Sequence, residues 1–174
     1  MTGAAEIFEA APSKRWEGIS ATLGVMKAVW TALEARALPD LLDVEMTDAL
    51  GALAEAVYAR SPADARQAAI DVAGAALDVQ LRQRPVAEID LARLDLWTRQ
   101  ALVDATDPGA VAGDLAAIET IWSRVGHAVA PTDANRIDGQ LSKLRAAIDA
   151  GDLPAVTTGM ARLRDIVVGL ESAR

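Results

Sequence analysis

The chain has 174 residues, of which 52% are hydrophobic and only 3% aromatic, and it carries a formal net charge of −8 with no cysteine. The lack of cysteine excludes disulfide bridges, thiolate metal sites and cysteine nucleophiles. The negative charge argues against nucleic acid as a partner, because a phosphate backbone would be repelled. Alanine, leucine, valine and isoleucine supply most of the apolar character, and the abundance of the helix formers alanine and leucine favours an all-α fold with one core.

The first residues, MTGAAEIFEAAPSKRW, contain two glutamates and lack both a basic start and an apolar run. They do not resemble a signal peptide, and no run of 18 apolar residues predicts a transmembrane segment. We therefore expect a cytoplasmic protein if the sequence is complete, and an exported one if a leader has been removed. Residues 1–12 are predicted to form an N-terminal tail, followed by an all-helical domain over 13–174.

Prolines divide the chain at a constant interval of 23 residues: Pro39, Pro62, Pro85, Pro108, Pro131 and Pro154. Proline is tolerated in the first turn of a helix but not in its interior. Ser61 and Asp107 directly precede two of these prolines and are residue types that cap helix N-termini. Other candidate caps are Ser13, Asp40, Asp133 and Asp152.

This spacing predicts seven helices, over residues 13–36, 40–60, 62–83, 86–106, 108–129, 133–150 and 154–171. Short connections make consecutive helices antiparallel, so we expect a single compact antiparallel bundle built from helical hairpins. The turn sequences ALVDATDPGAV (101–111) and AAIDAGDLPAV (146–156) resemble each other, with AVYARSPADA (56–65) as a looser third copy. A short α-solenoid is the alternative fold, since stacked helical repeats have similar periods.

Apolar residues follow three- and four-residue steps in most of these helices, which is typical of helix packing. Trp16 and Trp30 fall on this pattern in the first helix and Trp122 in the fifth, so all three are predicted core residues. The third helix is apolar around most of its circumference, which predicts a central position.

The fourth helix breaks the pattern. If it follows the same three- and four-residue steps as the other helices, its core positions are Ile89, Arg93, Leu96, Gln100 and Val103. Two polar residues would then face the interior. A buried charge must be paired, because an isolated one costs several kcal/mol. The polar strip of the third helix would face this helix across their hairpin. We therefore predict a central polar network and tentative ligand site formed by Asp71, Asp78, Arg82, Asp90, Arg93, Trp97 and Gln100.

Two other interpretations of this helix remain open. It could rotate to bury Leu91, Leu94, Ala101 and Leu102, which would leave Arg93 and Gln100 at the surface. Alternatively, Arg93 could lie inside and form only structural ion pairs, since buried ion pairs are more often architectural than chemical.

No catalytic or metal-binding pattern stands out. His127 is the single histidine, and it is more simply explained as a cation near a helix C-terminus than as part of a triad. No phosphate-binding glycine loop and no EF-hand loop occur, so we predict no cofactor and no metal. The function predicted from the sequence is a non-catalytic interaction module, or a module that binds a small polar ligand, with an unknown protein partner or self-assembly into a homo-oligomer. The alternative is a helical enzyme acting on a small polar substrate through Asp71, Asp78, Arg93 and Gln100.

The predicted network can be tested by double-mutant cycles that combine Arg93→Ala with Asp71→Ala or with Asp78→Ala. If Arg93 donates hydrogen bonds to these carboxylates, at least one pair should show a coupling free energy above about 0.5 kcal/mol in chemical denaturation. Coupling below this value in both cycles would contradict the network.

Overall fold

The protein is all-α in the computed structural model, which describes residues 2–34 and 38–172 and is 87% helical without strands in that part of the chain. The predicted fold class is confirmed. The described residues form eight α-helices: α1 (Thr2–Ala10), α2 (Trp16–Glu34), α3 (Asp40–Tyr58), α4 (Pro62–Gln80), α5 (Val86–Val103), α6 (Pro108–Val125), α7 (Pro131–Asp149) and α8 (Leu153–Ser172). Helices α2–α8 match the seven predicted ones to within a few residues. The predicted end of the first of these, at residue 36, lies outside the described residues.

The prediction of an N-terminal tail over residues 1–12 is wrong, because Thr2–Ala10 form α1. Ala4, Ile7, Phe8 and Ala11 are buried and follow one another at three-, one- and three-residue steps, so they share one face of the helix. The Arg66 guanidinium of α4 lies 4.3 Å from the centre of the Phe8 ring. This cation–π contact stabilises the packing of α1 against α4.

Helix contacts divide the chain into two compact units, Met1–Arg82 and Gln83–Arg174. In each unit consecutive helices pack against each other, and the first helix also packs against the fourth. Such contacts are typical of a compact helical bundle, as predicted, and not of a solenoid, in which each repeat contacts only its neighbours. One domain over residues 13–174 stays a prediction, since two compact units can belong to one domain.

The prolines mark helix starts, as predicted. Helices α4, α6 and α7 each begin with a proline. Helices α3 and α5 begin directly after one, and the second residue of α8 is a proline. Ser61 and Asp107 cap α4 and α6 through their side chains, and Asp152 accepts a hydrogen bond from the Ala155 backbone N–H at 3.0 Å.

Three of the six candidate caps do not cap a helix. Ser13 lies in a short 3-10 turn (Ala11–Ser13) before α2. Asp40 is the first residue of α3, whose N-cap position is held by Pro39, and Asp133 lies inside the first turn of α7, which starts two residues earlier than predicted. Acidic residues at these positions still interact favourably with the helix dipole.

Each unit has a core made of the predicted apolar positions. In the first unit Ile19 and Trp30 of α2 are buried, and α4 is buried over most of its circumference as it packs between α1 and α3. In the second unit Trp122 belongs to a buried cluster shared by α5, α6, α7 and α8. Trp16 is half-buried, so the prediction of a core tryptophan holds fully for Trp30 and Trp122 and partly for Trp16.

Asp107 should contribute measurably to stability. Its Oδ1 accepts hydrogen bonds from the backbone N–H groups of Gly109 at 2.9 Å and Ala110 at 3.1 Å. We expect Asp107→Ala to lower the free energy of unfolding by about 1 kcal/mol, because two helix donors lose their partner. Asp107→Asn should retain most of the cap, and Asp165→Ala on the exposed face of α8 should change stability by less than about 0.5 kcal/mol. Equal effects of Asp107→Ala and Asp165→Ala in urea denaturation would contradict the cap's role.

Candidate functional site

The seven residues of the predicted polar network belong to both units. Asp71, Asp78 and Arg82 lie in the first unit, whereas Asp90, Arg93, Trp97 and Gln100 lie in the second. Asp71 accepts a hydrogen bond from Gln67 Nε2 at 3.1 Å on an exposed surface of α4. A contact between the polar residues of α4 and those of α5 stays a prediction, and so does the ligand site that they would form.

Within the second unit, the structure brings together part of the predicted set. Arg93 is half-buried, and its Nη1 lies 3.5 Å from Asp90 Oδ1 on the same helix. Gln100 Nε2 donates a hydrogen bond to Asp104 Oδ2 at 2.7 Å. Trp97 packs against the core cluster of this unit, so its role is at least partly structural.

Asp90 is the most deeply buried charged residue of α5, with 3% of its surface exposed. Arg124 of α6 binds its carboxylate with two hydrogen bonds, from Nε to Oδ2 and from Nη2 to Oδ1, both at 3.1 Å. These hydrogen bonds raise the pKa of the Arg124 guanidinium and keep it charged. Together with Arg93, they compensate the cost of burying the carboxylate.

Asp95 forms a second arrangement of the same kind one and a half turns further along α5. Its Oδ2 accepts a hydrogen bond from Arg99 Nε of the same helix at 2.9 Å, and its Oδ1 accepts one from Arg164 Nε of α8 at 3.2 Å. Each aspartate thus holds one arginine of α5 and one of a neighbouring helix. Residues five apart lie about 140° from each other around a helix, so Asp90 reaches α6 while Asp95 reaches α8.

Asp95, Arg99 and Arg164 were not among the predicted site residues, because the pattern in the sequence predicted a single buried face for α5. The interpretation in which α5 rotates is borne out in part, since Leu91, Leu94 and Ala101 are buried while Arg93 and Gln100 are only half-buried. Helix α5 packs against both α6 and α8, so two sides of it are covered. The available signal was the pair of Asp and Arg residues four positions apart, Asp95 and Arg99.

A carboxyl pair lies where α5 and α6 meet. Asp114 of α6 is buried, and its Oδ2 accepts no hydrogen bond from the described residues. Burial, and to a smaller extent the charge of Asp104 and a hydrogen bond between the two side chains, together raise the pKa of Asp114 to about 7. The two carboxyl groups can therefore share a proton near neutral pH.

The first unit contains an apolar cavity of about 470 Å³. Helix α1 has nine residues, whereas α2, α3 and α4 have 19 each. At 1.5 Å per residue α1 is about 14 Å long and its neighbours about 28 Å. Its first turn therefore forms one end of a cavity that extends between the C-terminal halves of α2 and α4 and the N-terminal half of α3.

The cavity walls are mainly apolar, with Thr2, Glu6, Thr22 and Gln80 as the polar lining residues. They include Met26, Trp30, Leu33, Met46, Leu50 and Val72, while the exposed Val25 and Val29 stand at the rim. The indole of Trp30 is held in place by a hydrogen bond from Nε1 to Thr47 Oγ1 at 3.3 Å. Glu6 of α1 is the single charged residue among the described residues that line it.

Other classes of site have little support. Among residues 2–34 and 38–172, no group of three or more histidine, aspartate or glutamate side chains is placed to hold a metal ion. His127 is exposed in a short 3-10 turn (Gly126–Ala128) after α6, at the helix end where it was predicted. None of the described helices is both long and apolar enough to span a membrane.

Comparison of the chain with protein-family models, with curated proteins and with solved structures finds no match. The candidate function therefore rests on the geometry of the two units.

The Asp104–Asp114 pair should make stability depend on pH. Because the pKa of Asp114 is about 7 in the folded state and 3.8 as a free side chain, the folded protein binds one proton more than the unfolded chain between these values. Stability contributed by this group is therefore lost as pH rises from about 4 to about 7, and the loss levels off above that. Asp114→Asn mimics the protonated form and should be more stable than the parent at pH 8, by about 1 kcal/mol or more.

Urea denaturation of both proteins between pH 4 and pH 8.5 would measure this difference, with the exposed Asp165→Asn as the control. The stability gap between parent and Asp114→Asn should widen up to about pH 7 and then stay constant. A gap that does not change with pH, or a parent more stable than the variant at pH 8, would show that Asp114 is ionised at no cost.

Proposed function

We propose that the protein binds a small, mostly apolar molecule in the cavity of the first unit. The observation that carries this proposal is the cavity itself: about 470 Å³ of space walled by apolar side chains of four helices. Ligand pockets in proteins generally have volumes of about 300–1,000 Å³, with mainly hydrophobic walls and a few polar groups. The cavity meets each of these criteria.

The geometry around Trp30 supports binding at this place. An indole fixed by a hydrogen bond offers a flat apolar surface at little cost in conformational entropy. Two methionines, Met26 and Met46, line the same space, and their flexible thioethers can adapt to ligands of different shape. The exposed Val25 and Val29 would lose contact with water when a ligand covers the rim.

The charged residues of α5 offer less to a ligand. The carboxylates of Asp90 and Asp95 are already engaged by two arginines each. A polar ligand would have to replace these interactions and then compensate the buried charges it displaced. For this reason the proposed site is the apolar cavity of the first unit, and the predicted small polar ligand is replaced by an apolar one.

Binding can be tested with N-phenyl-1-naphthylamine, an uncharged aromatic probe whose fluorescence rises when it leaves water. We expect a dissociation constant on the order of 10 μM, in keeping with the affinity of ligands of this size. Ala76 of α4 lines the cavity, so Ala76→Phe should occupy part of the space and weaken binding at least about tenfold.

Ala63→Phe is the matched control, because Ala63 lies on the same helix but is exposed and outside the cavity. It should leave the affinity unchanged. Ala76→Phe should retain its helical circular dichroism and its thermal midpoint, since it fills a space within the fold. Lack of probe binding by the parent protein, or equal affinity of the two variants, would overturn the proposed site.

A further inference from the structure

We propose that the natural ligand of this cavity carries a positive charge at one end of an apolar body, and that Glu6 binds this charge at the cavity rim. The inference rests on the proposed function and names the chemical class of its ligand: an amine or quaternary ammonium group attached to a hydrocarbon of about ten carbons.

The placement of Glu6 is the first argument. It is the only charged residue among the described residues that line the cavity, and it is exposed at the rim formed by α1. A ligand that fills the cavity and ends at the α1 side of the rim places that end beside this carboxylate. A cationic end gains an ion pair there, a neutral end gains nothing, and an anionic end is repelled.

The negative charge around the rim also favours a cationic ligand. Glu6 also lines a neighbouring hollow between α1 and α2, which contains Glu9 and Arg15. Two carboxylates against one guanidinium leave this rim negative. Residues 1–82 contain 12 acidic and 7 basic residues, which gives this part of the chain a formal charge of −5. A cation is therefore attracted to this unit before it reaches the cavity.

The dimensions limit the apolar part. Helix α1 (Thr2–Ala10) is ten residues, or about 15 Å, shorter than α2 and α4, and the cavity lies beside its first turn. An extended chain of about ten carbons matches this length. The apolar surface of Leu33, Met46 and Val79 can then surround the chain while the charged end stays in water beside Glu6.

Displacement of N-phenyl-1-naphthylamine by three ligands of equal chain length tests the proposal: decyltrimethylammonium, 1-decanol and decanoate, each below its micelle concentration. We expect the ammonium to bind about threefold to fivefold more tightly than the alcohol, as for an ion pair at an exposed rim, and decanoate to bind more weakly than both. The preference should shrink at high salt, because exposed charges are screened.

Glu6→Gln should bring the ammonium and the alcohol to equal affinity while leaving the affinity for the alcohol unchanged. Glu55→Gln removes one negative charge from an exposed position of α3 outside the cavity, so it should keep the preference. Loss of the preference in both variants would assign it to the overall charge of the unit and contradict the role of Glu6.

The two proposals fail in different ways. If neither the probe nor any of the three ligands binds, the cavity is no ligand site and the proposed function falls. If the probe and 1-decanol bind but the ammonium is not preferred, or if Glu6→Gln keeps the preference, the proposed function stands and the inference about the charged end is overturned.

Discussion

Proline cannot donate a backbone hydrogen bond, and its ring excludes the preceding turn of a helix, so each proline on the regular 23-residue spacing forces a helix to start anew. Seven helices consequently have nearly the same length, from 18 to 20 residues. Helices of equal length can pack along their whole extent and bury most of their apolar faces. Helix α1 lies before the regularly spaced prolines and is only half as long. The cavity of the first unit lies beside the first turn of this shorter helix.

The second unit shows what happens when the corresponding helix has full length. Helix α5 fills the space between α6 and α8, and it does so with charged residues on its covered sides. Their burial is possible because each aspartate meets one arginine of its own helix and one of a neighbour. Several of the seven charged residues in the stretch 81–100 therefore bind α5 to α6 and α8.

Much of the architecture could be predicted because it depends on local chemistry. The prolines, together with caps such as Asp107, fix helix starts within a few residues, and the three- and four-residue apolar steps identify core positions such as Ile19 and Trp30. Helix α1 was missed although Ala4, Ile7 and Phe8 follow the same steps, since a nine-residue helix gives too short a pattern to stand out without a recognisable cap.

The candidate site could not be predicted in the same way. The cavity is lined by residues of four helices, and no sequence motif identifies such a combination. The ion pairs of Asp95 were missed because the sequence does not tell how many sides of a helix are covered. Asp114 lies on the buried side of α6 beside Val111, Leu115 and Ile118, and its raised pKa follows from burial and from Asp104, two conditions that only the packed structure brings together.

The sharing of one carboxylate by two guanidinium groups has a consequence for how the chain can vary. Loss of one arginine from such a trio leaves a balanced pair behind, so a replacement of Arg93 or Arg164 should be tolerated during evolution. Loss of the shared aspartate leaves two like charges near each other with no carboxylate between them, which is more damaging. Among homologous proteins, Asp90 and Asp95 should therefore be conserved, whereas the arginines around them should vary.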